Sequence, residues 1–568
     1  MPGSRTDAPE RVDASAGRIR SRGPVLASVV EWSSRVLLVL ALGVGVFGVT
    51  RVWWSAVPMW KDEASIANNL RRSFLQLAGH LTYDQVAPVG WLWLEKLLLE
   101  VVGPDDRVLR FLPYLGALTV LCLGAFIARQ AIGRFAAVAV AVMLAFAPSL
   151  LVYAGETKQY DWEAAIALVL LVLGAWAHQA IRWQGWASAL RSWPAAAWVT
   201  ATGVAVFVSF SAILVTAAVT MALLCLHAAR RAWADLGWQA GLSLPAGLTA
   251  AFLVSWRRRF SFYPDQTDYF GGGTAPEGAG LREILDWLPF MWSKFVAAPM
   301  GWRLGWLVLL LMVAGLMALW WRKRVWAVML LMVFVCGVGG GALRGFPVVS
   351  RPAIYLIAPT ILLVVAAVDG LVRVSAGLFQ RGQAMPWYHL PAAVAAALAV
   401  AAAVGVGMIA GPGAETAAKE IAHPLGKDAL RDALRDISGK VRPGDVVLVY
   451  YFGNPVTRWY RPYLDLGPAV HHVRLCRPTT PVEKQLAVYE KLAGAKRVFY
   501  VEGQLNATTR KDHFEVTLRL FDSIGTVVEQ HDGRGDRIGP HSWALVELEP
   551  FQPTPRPMTG DEPCLEIY

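Results

Sequence analysis

The sequence predicts an α-helical polytopic membrane protein, with about eleven transmembrane helices and a C-terminal extracytoplasmic α/β domain. Three observations predict it. The 568 residues are 55% hydrophobic and 17% charged, with mean hydropathy +0.43 and 25 Trp, which is too apolar for a soluble globular chain. Eleven apolar runs follow one another, each close to the roughly 20 residues that a spanning helix needs. After residue 410 the pattern changes to alternating helical stripes and short apolar strands.

Residues 1–35 form a polar, Arg-containing tail. The first apolar run, Val36–Thr50, continues into Trp53-Trp54 without a small-residue cleavage site, so it reads as a retained signal anchor with the N-terminus in the cytoplasm. Further runs fall at 112–128, 135–152, 162–180, 194–209, 211–228, 241–255, 302–321, 325–343, 352–372 and 389–410. The pair 194–209 and 211–228 is divided only by Ser209-Phe210-Ser211, and without a turn there everything downstream would invert.

Charge agrees with the eleven-span order. The loops assigned to the inside (129–134, 181–193, 229–240, 322–324 and 373–388) hold 11 basic residues and a single acid, Asp235, as the positive-inside rule requires. This bias accounts for the net charge of +11 without invoking nucleic acid as a partner. The partner that the composition demands is the lipid bilayer, and the order of spans places residues 411–568 outside the cell (plasma) membrane. Of the five cysteines, Cys476 and Cys564 fall in that outer region, where an oxidising compartment would permit one disulfide between them.

The first outer loop, 51–111, carries Trp60-Lys61-Asp62-Glu63-Ala64 just beyond the first span. Acids so close to lipid invite a functional reading, although Asp62 and Glu63 also suit the first turn of a helix whose dipole they complement. Apolar positions Ile66, Leu70, Phe74, Leu77 and Leu81 follow, and a second amphipathic stretch surrounds Trp91, Leu94 and Leu98, so two interfacial helices are expected. Between them lies Asp84-Gln85. The outer turn after the third span reads Tyr153-Ala-Gly-Glu156-Thr-Lys158-Gln-Tyr160-Asp161. The large outer loop 256–301 opens on Trp256-Arg257-Arg258-Arg259 and contains Gly271-Gly272-Gly273, which reads as a mobile lid or hinge. Arg351-Pro352-Ala-Ile-Tyr355 precedes the tenth span.

Together these groups set acids (Asp62, Glu63, Glu156, Asp161) beside cations (Lys158, Arg257 to Arg259, Arg351) on one side of the membrane. A transfer from a phosphorylated lipid needs both kinds: a base for the attacking hydroxyl and fixed cations for the departing phosphate. Asp62 suits the base, while Lys158 and Arg351 suit the leaving group, as a point charge and a bidentate fork. No cofactor is indicated. A divalent metal is compatible with such a donor but has no ligand motif here, because His471-His472 would point to opposite faces of a strand.

On these residues the chain resembles the GT-C membrane glycosyltransferases, in particular the bacterial branch related to protein O-mannosyltransferases and lipid A aminoarabinose transferases. Asp62-Glu63 matches that family's acidic motif after the first span. Tyr153, Glu156, Lys158 and Tyr160 match Tyr-x-x-Glu-x-Arg/Lys-x-Tyr, and Arg351, Tyr355 and Pro359 match Arg-x-x-x-Tyr-x-x-x-Pro. The chain departs from the family at Asp84-Gln85-Val86-Ala87-Pro88-Val89, where many members have Asp-x-His-Pro-Pro-Leu, so no role of that His carries over. The resemblance covers the membrane domain and implies hexosyl or pentosyl transfer, mannose being one candidate sugar. The implied donor is a polyprenyl-monophosphate sugar, the acceptor a glycan, lipid or protein, and the mechanism a single displacement with inversion. It implies catalytic roles for Asp62, Glu63 and Glu156 and phosphate contacts from Lys158, Arg351 and Tyr355; Arg257 to Arg259, a basic run placed outside against the charge bias, is either tolerated because long loops translocate regardless of charge or is a further phosphate contact. Asp84, Gln85, Tyr153, Tyr160 and Asp161 would line the pocket. The rival from another class is a transporter or lipid-linked-sugar flippase, which should carry midplane charges and an internal repeat; neither is visible. A scaffold without activity would tolerate substitution of Asp62.

Overall fold

A computed structural model describes residues 23–567 apart from 186–187, 189–190, 261–270, 383–388, 425, 428, 476–487, 489, 493, 504–506, 523, 533–540 and 550–564. Cys476 and Cys564 lie outside the described residues. The membrane domain is built from α1 (Gly23–Ser55), three helices of the first loop, α2 (Lys61–Leu70), α3 (Phe74–Leu77) and α4 (Val89–Val102), and then α5 (Phe111–Ala131), α6 (Arg134–Ala145), α7 (Pro148–Ala154) and α8 (Tyr160–Gln184). There follow α9 (Trp193–Val208), α10 (Ser211–Ala229), α11 (Trp233–Phe260), α12 (Leu281–Ala297), α13 (Gly305–Arg322), α14 (Arg324–Ala342), α15 (Ile357–Gly382) and α16 (His389–Ala422).

Among the described residues eight helices are long and apolar enough to cross a membrane, and α6 with α7, bent by 58°, makes a ninth. Pro148 causes the bend: it has no N–H to continue the helix of α6, but its fixed φ suits the first turn of a new one. α9 is apolar but short, and α11 contains the run 241–255, so every predicted run is helical. The division at Ser209-Phe210 is real. Ser209 is extended, and the buried Glu163 carboxylate accepts from the N–H groups of Phe210 and Ser211, each at 3.4 Å, satisfying the start of α10.

Polar contacts gather the loops at the two ends of the bundle. At one end Glu31 pairs with Arg129 and Arg134, and Asp369 with Arg322 and Arg373. At the other end the first loop meets the turn before α8 and the segment before α15. Arg257-Arg258-Arg259 falls in the last turn of α11 rather than in a loop, because nothing between Ser255 and Phe260 breaks a helix; the three side chains lie outside the described residues. The Gly271-Gly272-Gly273 turn, expected as a lid or hinge, is held by two hydrogen bonds in this structure. Trp287 Nε1 donates to the Gly272 carbonyl at 2.8 Å and Val348 N to that of Gly273 at 2.9 Å. Gly272 has φ +87°, and a Cβ there would sit 2.2 Å from the Phe290 ring, so only glycine fits.

The C-terminal domain contains β1 (Val446–Tyr450), β2 (Val470–Leu475), β3 (Arg497–Gly503), β4 (Gly525–Asp532), β5 (His541–Leu548) and β6 (Leu565–Ile567), with α17 (Leu430–Ser438), α18 (Asn454–Tyr460) and α19 (Ala507–Phe521). The sheet order is β4-β5-β3-β1-β2-β6, with β1 parallel to both β2 and β3, and β4, β5 and β6 antiparallel to their neighbours. Every residue of β1 is buried, as expected of a strand covered on both faces. The apolar side of α17 (Leu430, Ala433, Leu434, Ile437) shares one core with β1, β3 and the first-loop helices. The domain therefore sits directly on the first loop: Asn68 Nδ2 donates to the Pro455 carbonyl at 2.7 Å, and Arg71 to those of Arg458 and Trp459. Arg431 and Tyr460 both reach Asp106, each at 2.8 Å.

Candidate active site

α2 begins at Lys61 because Glu63 reaches back to the Trp60 N–H at 3.3 Å, as a third-position glutamate in a capping box does. The same carboxylate takes a two-pronged contact from Arg110, at 2.9 and 3.1 Å, and the Thr157 N–H at 2.7 Å. Glu63 and Arg110 are both almost fully buried. Glu63 thus ties together α2, the start of α5 and the turn 155–159, and these four contacts commit its oxygens inside the protein. Where the sequence reading expected a catalytic Glu63, the structure places its carboxylate in contacts that hold three elements in position. Successive helical residues lie about 100° apart, so this anchoring turns Asp62 another way.

Asp62 faces the cations that the sequence singled out. Its Oδ2 lies 3.1 Å from Arg351 Nη1 and 3.8 Å from Lys158 Nζ. Lys158 also donates to Gln85 Oε1 at 2.8 Å. Burial pulls the Lys158 ammonium down to about 8, with the neighbouring Asp62 carboxylate opposing that pull. Arg351 lies over the rings of Trp60 and Tyr160, with centroids 5.7 and 6.0 Å away, and Tyr160 meets Tyr153 edge to face at 5.2 Å. Four stretches distant in sequence, at 60–62, 85, 153–160 and 351, thereby meet around Asp62.

Beside this cluster opens a cavity of about 560 Å³, lined by Trp60, Tyr153, Gly271, Lys294, Ser350, Arg351 and Lys427, among others. Lys427 pairs with Glu156 and sits 4.4 Å from the centre of the Trp60 ring and 5.2 Å from that of Tyr153. Burial raises the Glu156 carboxyl, against the pull of Lys427. Lys294, on α12, is exposed in the cavity and has no carboxylate partner among the described residues. On the far side of Gln85 lies a narrow apolar pocket of about 100 Å³, walled by residues such as Leu77, Leu81, Val206, Phe207, Leu253 and Trp256.

The structure brings together Asp62, Lys158, Arg351, Gln85, Tyr153, Tyr160 and Glu156. It does not bring Tyr355 to the cavity. That side chain is buried, its ring edge-on to Phe346 at 6.0 Å, and its hydroxyl would lie 2.8 Å from a Cβ at Gly337. One turn beyond Arg351, in a segment that enters the bundle, it points into helix packing and away from the cavity where the sequence reading expected it to contact phosphate. Asp84 occupies an exposed turn with φ 54° and lines neither space. Asp161 is buried at the first turn of α8, and neither carboxylate oxygen has a hydrogen-bond partner among the described residues. Trp60, Lys294 and Lys427 were not singled out by sequence. In the sequence the two lysines fall in stretches that read as a loop and a linker, where charge is ordinary, and only Trp60 had a signal, its place beside Lys61-Asp62. Among the described residues no three His, Cys, Asp or Glu side chains are grouped to hold a metal ion.

No family model and no curated protein matches the chain. Among solved structures it is similar to ArnT from Cupriavidus metallidurans in the apo state, at 17% identity and TM-score 0.49, over 91% of this chain and 98% of that one. It is also similar to the Archaeoglobus fulgidus oligosaccharyltransferase tethered with an acceptor peptide, at 12% identity and TM-score 0.41, over 82% of this chain and 71% of that one.

Proposed function

We propose that the protein is an inverting membrane glycosyltransferase of GT-C type, moving a sugar from a polyprenyl-monophosphate donor to an acceptor hydroxyl outside the plasma membrane. The observation that carries this reading is Asp62, held between Lys158 and Arg351 at the edge of a cavity that also contains Lys294 and Lys427. Four cations around two acids suit a bound anion. The donor phosphate would lie against Arg351 and Lys158, and the apolar pocket beyond Gln85 suits the first isoprene units. The acceptor oxygen attacks the anomeric carbon opposite the phosphate, its proton passes to the Asp62 carboxylate, and the breaking C–O bond leaves its electron pair on polyprenyl phosphate. Fixed cations in a dry site stabilise that developing charge without reorganising. With the N-terminus in the cytoplasm, the order of spans read from the sequence would put this end of the bundle, and the C-terminal domain, outside.

Protonation of Lys158 provides the test. Its ammonium holds phosphate only below its pKa, so with purified enzyme kcat/KM for the lipid donor is expected to be flat up to about pH 8 and to fall about tenfold per unit above it. Lys158→Arg, which stays charged, should remove that fall within the accessible range. A wild-type profile that stays flat to pH 10 would mean that burial does not depress the Lys158 ammonium, and an unchanged fall in Lys158→Arg would take Lys158 out of phosphate binding.

A further inference from the structure

We propose that Tyr451 and Phe452, at the end of β1, form a platform for a sugar ring of the acceptor, so that the attacking hydroxyl belongs to a glycan; this rests on the transferase reading above. The two rings stack with centroids 4.2 Å apart and planes at 28°, and Tyr450 meets them at 5.0 and 5.7 Å. Tyr451 and Phe452 are half-buried, leaving part of each ring open. β1 is the strand from which β2 and β3 diverge to either side, and open α/β sheets take ligands beyond the carboxyl end of such a strand.

Here that end meets the start of α2. Lys61 Nζ lies 4.5 Å from the centre of the Phe452 ring, and Lys61 is the residue before Asp62. The turn is held firmly: a Cβ at Gly453 would meet Leu430 Cδ2 at 2.5 Å, and the Pro455 carbonyl is bound by Asn68 on α2. Flat aromatic faces complement the apolar C–H face of a sugar ring, while Lys61 and the tyrosine hydroxyl offer partners for its oxygens. A lipid tail would find its apolar walls in the other pocket, beyond Gln85. A peptide adding as a strand needs an unpaired sheet edge, and β1 is paired on both sides.

The test uses the full-length protein in nanodiscs, with saturation-transfer NMR on a panel of methyl hexosides and methyl pentosides, and a separate binding assay with polyprenyl monophosphate. The ring C–H protons of at least one glycoside should be saturated by the wild type. The signal should fall at least fivefold in Tyr451→Ala and in Phe452→Ala and persist in Phe452→Trp, with polyprenyl phosphate bound equally by all. If Phe452→Ala does not fold, Tyr451→Ala and Phe452→Trp alone decide the matter. Equal saturation in wild type and Tyr451→Ala, or none with any glycoside, overturns the platform even where polyprenyl phosphate binds. Loss of lipid-phosphate binding in the wild type instead counts against the transferase reading and leaves the glycoside result to be judged by itself.

Discussion

Asp62→Asn is expected to lower kcat by about 10²–10⁴-fold, the usual contribution of a positioned general base. The substitution keeps the size and most of the hydrogen bonding of the side chain and removes its proton affinity. Donor affinity should hold or rise, because Arg351 and Lys158 lose the carboxylate that now competes with phosphate for them. Steady-state kinetics with purified enzyme, together with direct donor binding, separate this from two other roles. A helix-capping Asp62 would leave turnover intact, since Asn caps about as well as Asp. An Asp62 that only orients the two cations would lose donor affinity along with kcat.

Arg110→Met is expected to destabilise the membrane domain by about 3–5 kcal/mol, because it strands Glu63 as a buried charge without its partner. Glu63→Gln should cost less, since the single amide oxygen can still accept from Thr157 N and Asp106 still lies near enough to act on the Arg110 charge. The double substitution Glu63→Gln with Arg110→Met should recover part of the loss, since it leaves no uncompensated ion. Equilibrium unfolding of the three variants in detergent measures this. An Arg110→Met protein as stable as wild type would mean that Glu63 is not the tie between α2, α5 and the turn before α8.

The elements legible in sequence were those whose signal is local. All eleven apolar runs became helices, and the strand-like runs 445–451, 497–501, 526–528 and 543–548 became β1, β3, β4 and β5. β2 was missed because His471-His472 interrupt its apolar pattern, and β6 because three residues show no periodicity. α12 was missed because Pro289 and a Gly-rich approach made its amphipathic run look like loop. In the site, Asp62, Lys158 and Arg351 were found from their places at the ends of spans. The Glu63–Arg110 pair joins residues 47 apart, and Lys427 reaches Glu156 from the linker to the C-terminal domain. Such pairings come from tertiary packing and leave no trace in spacing. The same is true of the docking of Pro455 on Asn68, which seats the C-terminal domain on α2.

The most direct test of the account is the identity of the lipid left behind when purified enzyme, reconstituted in lipid, consumes a sugar-loaded polyprenyl monophosphate. Mass spectrometry of the extracted lipids should show polyprenyl monophosphate released one for one with sugar transferred, the product carrying the inverted anomeric configuration, and release suppressed by Asp62→Asn. Donor that crosses the bilayer with its sugar still attached, or release that Asp62→Asn leaves untouched, would contradict it.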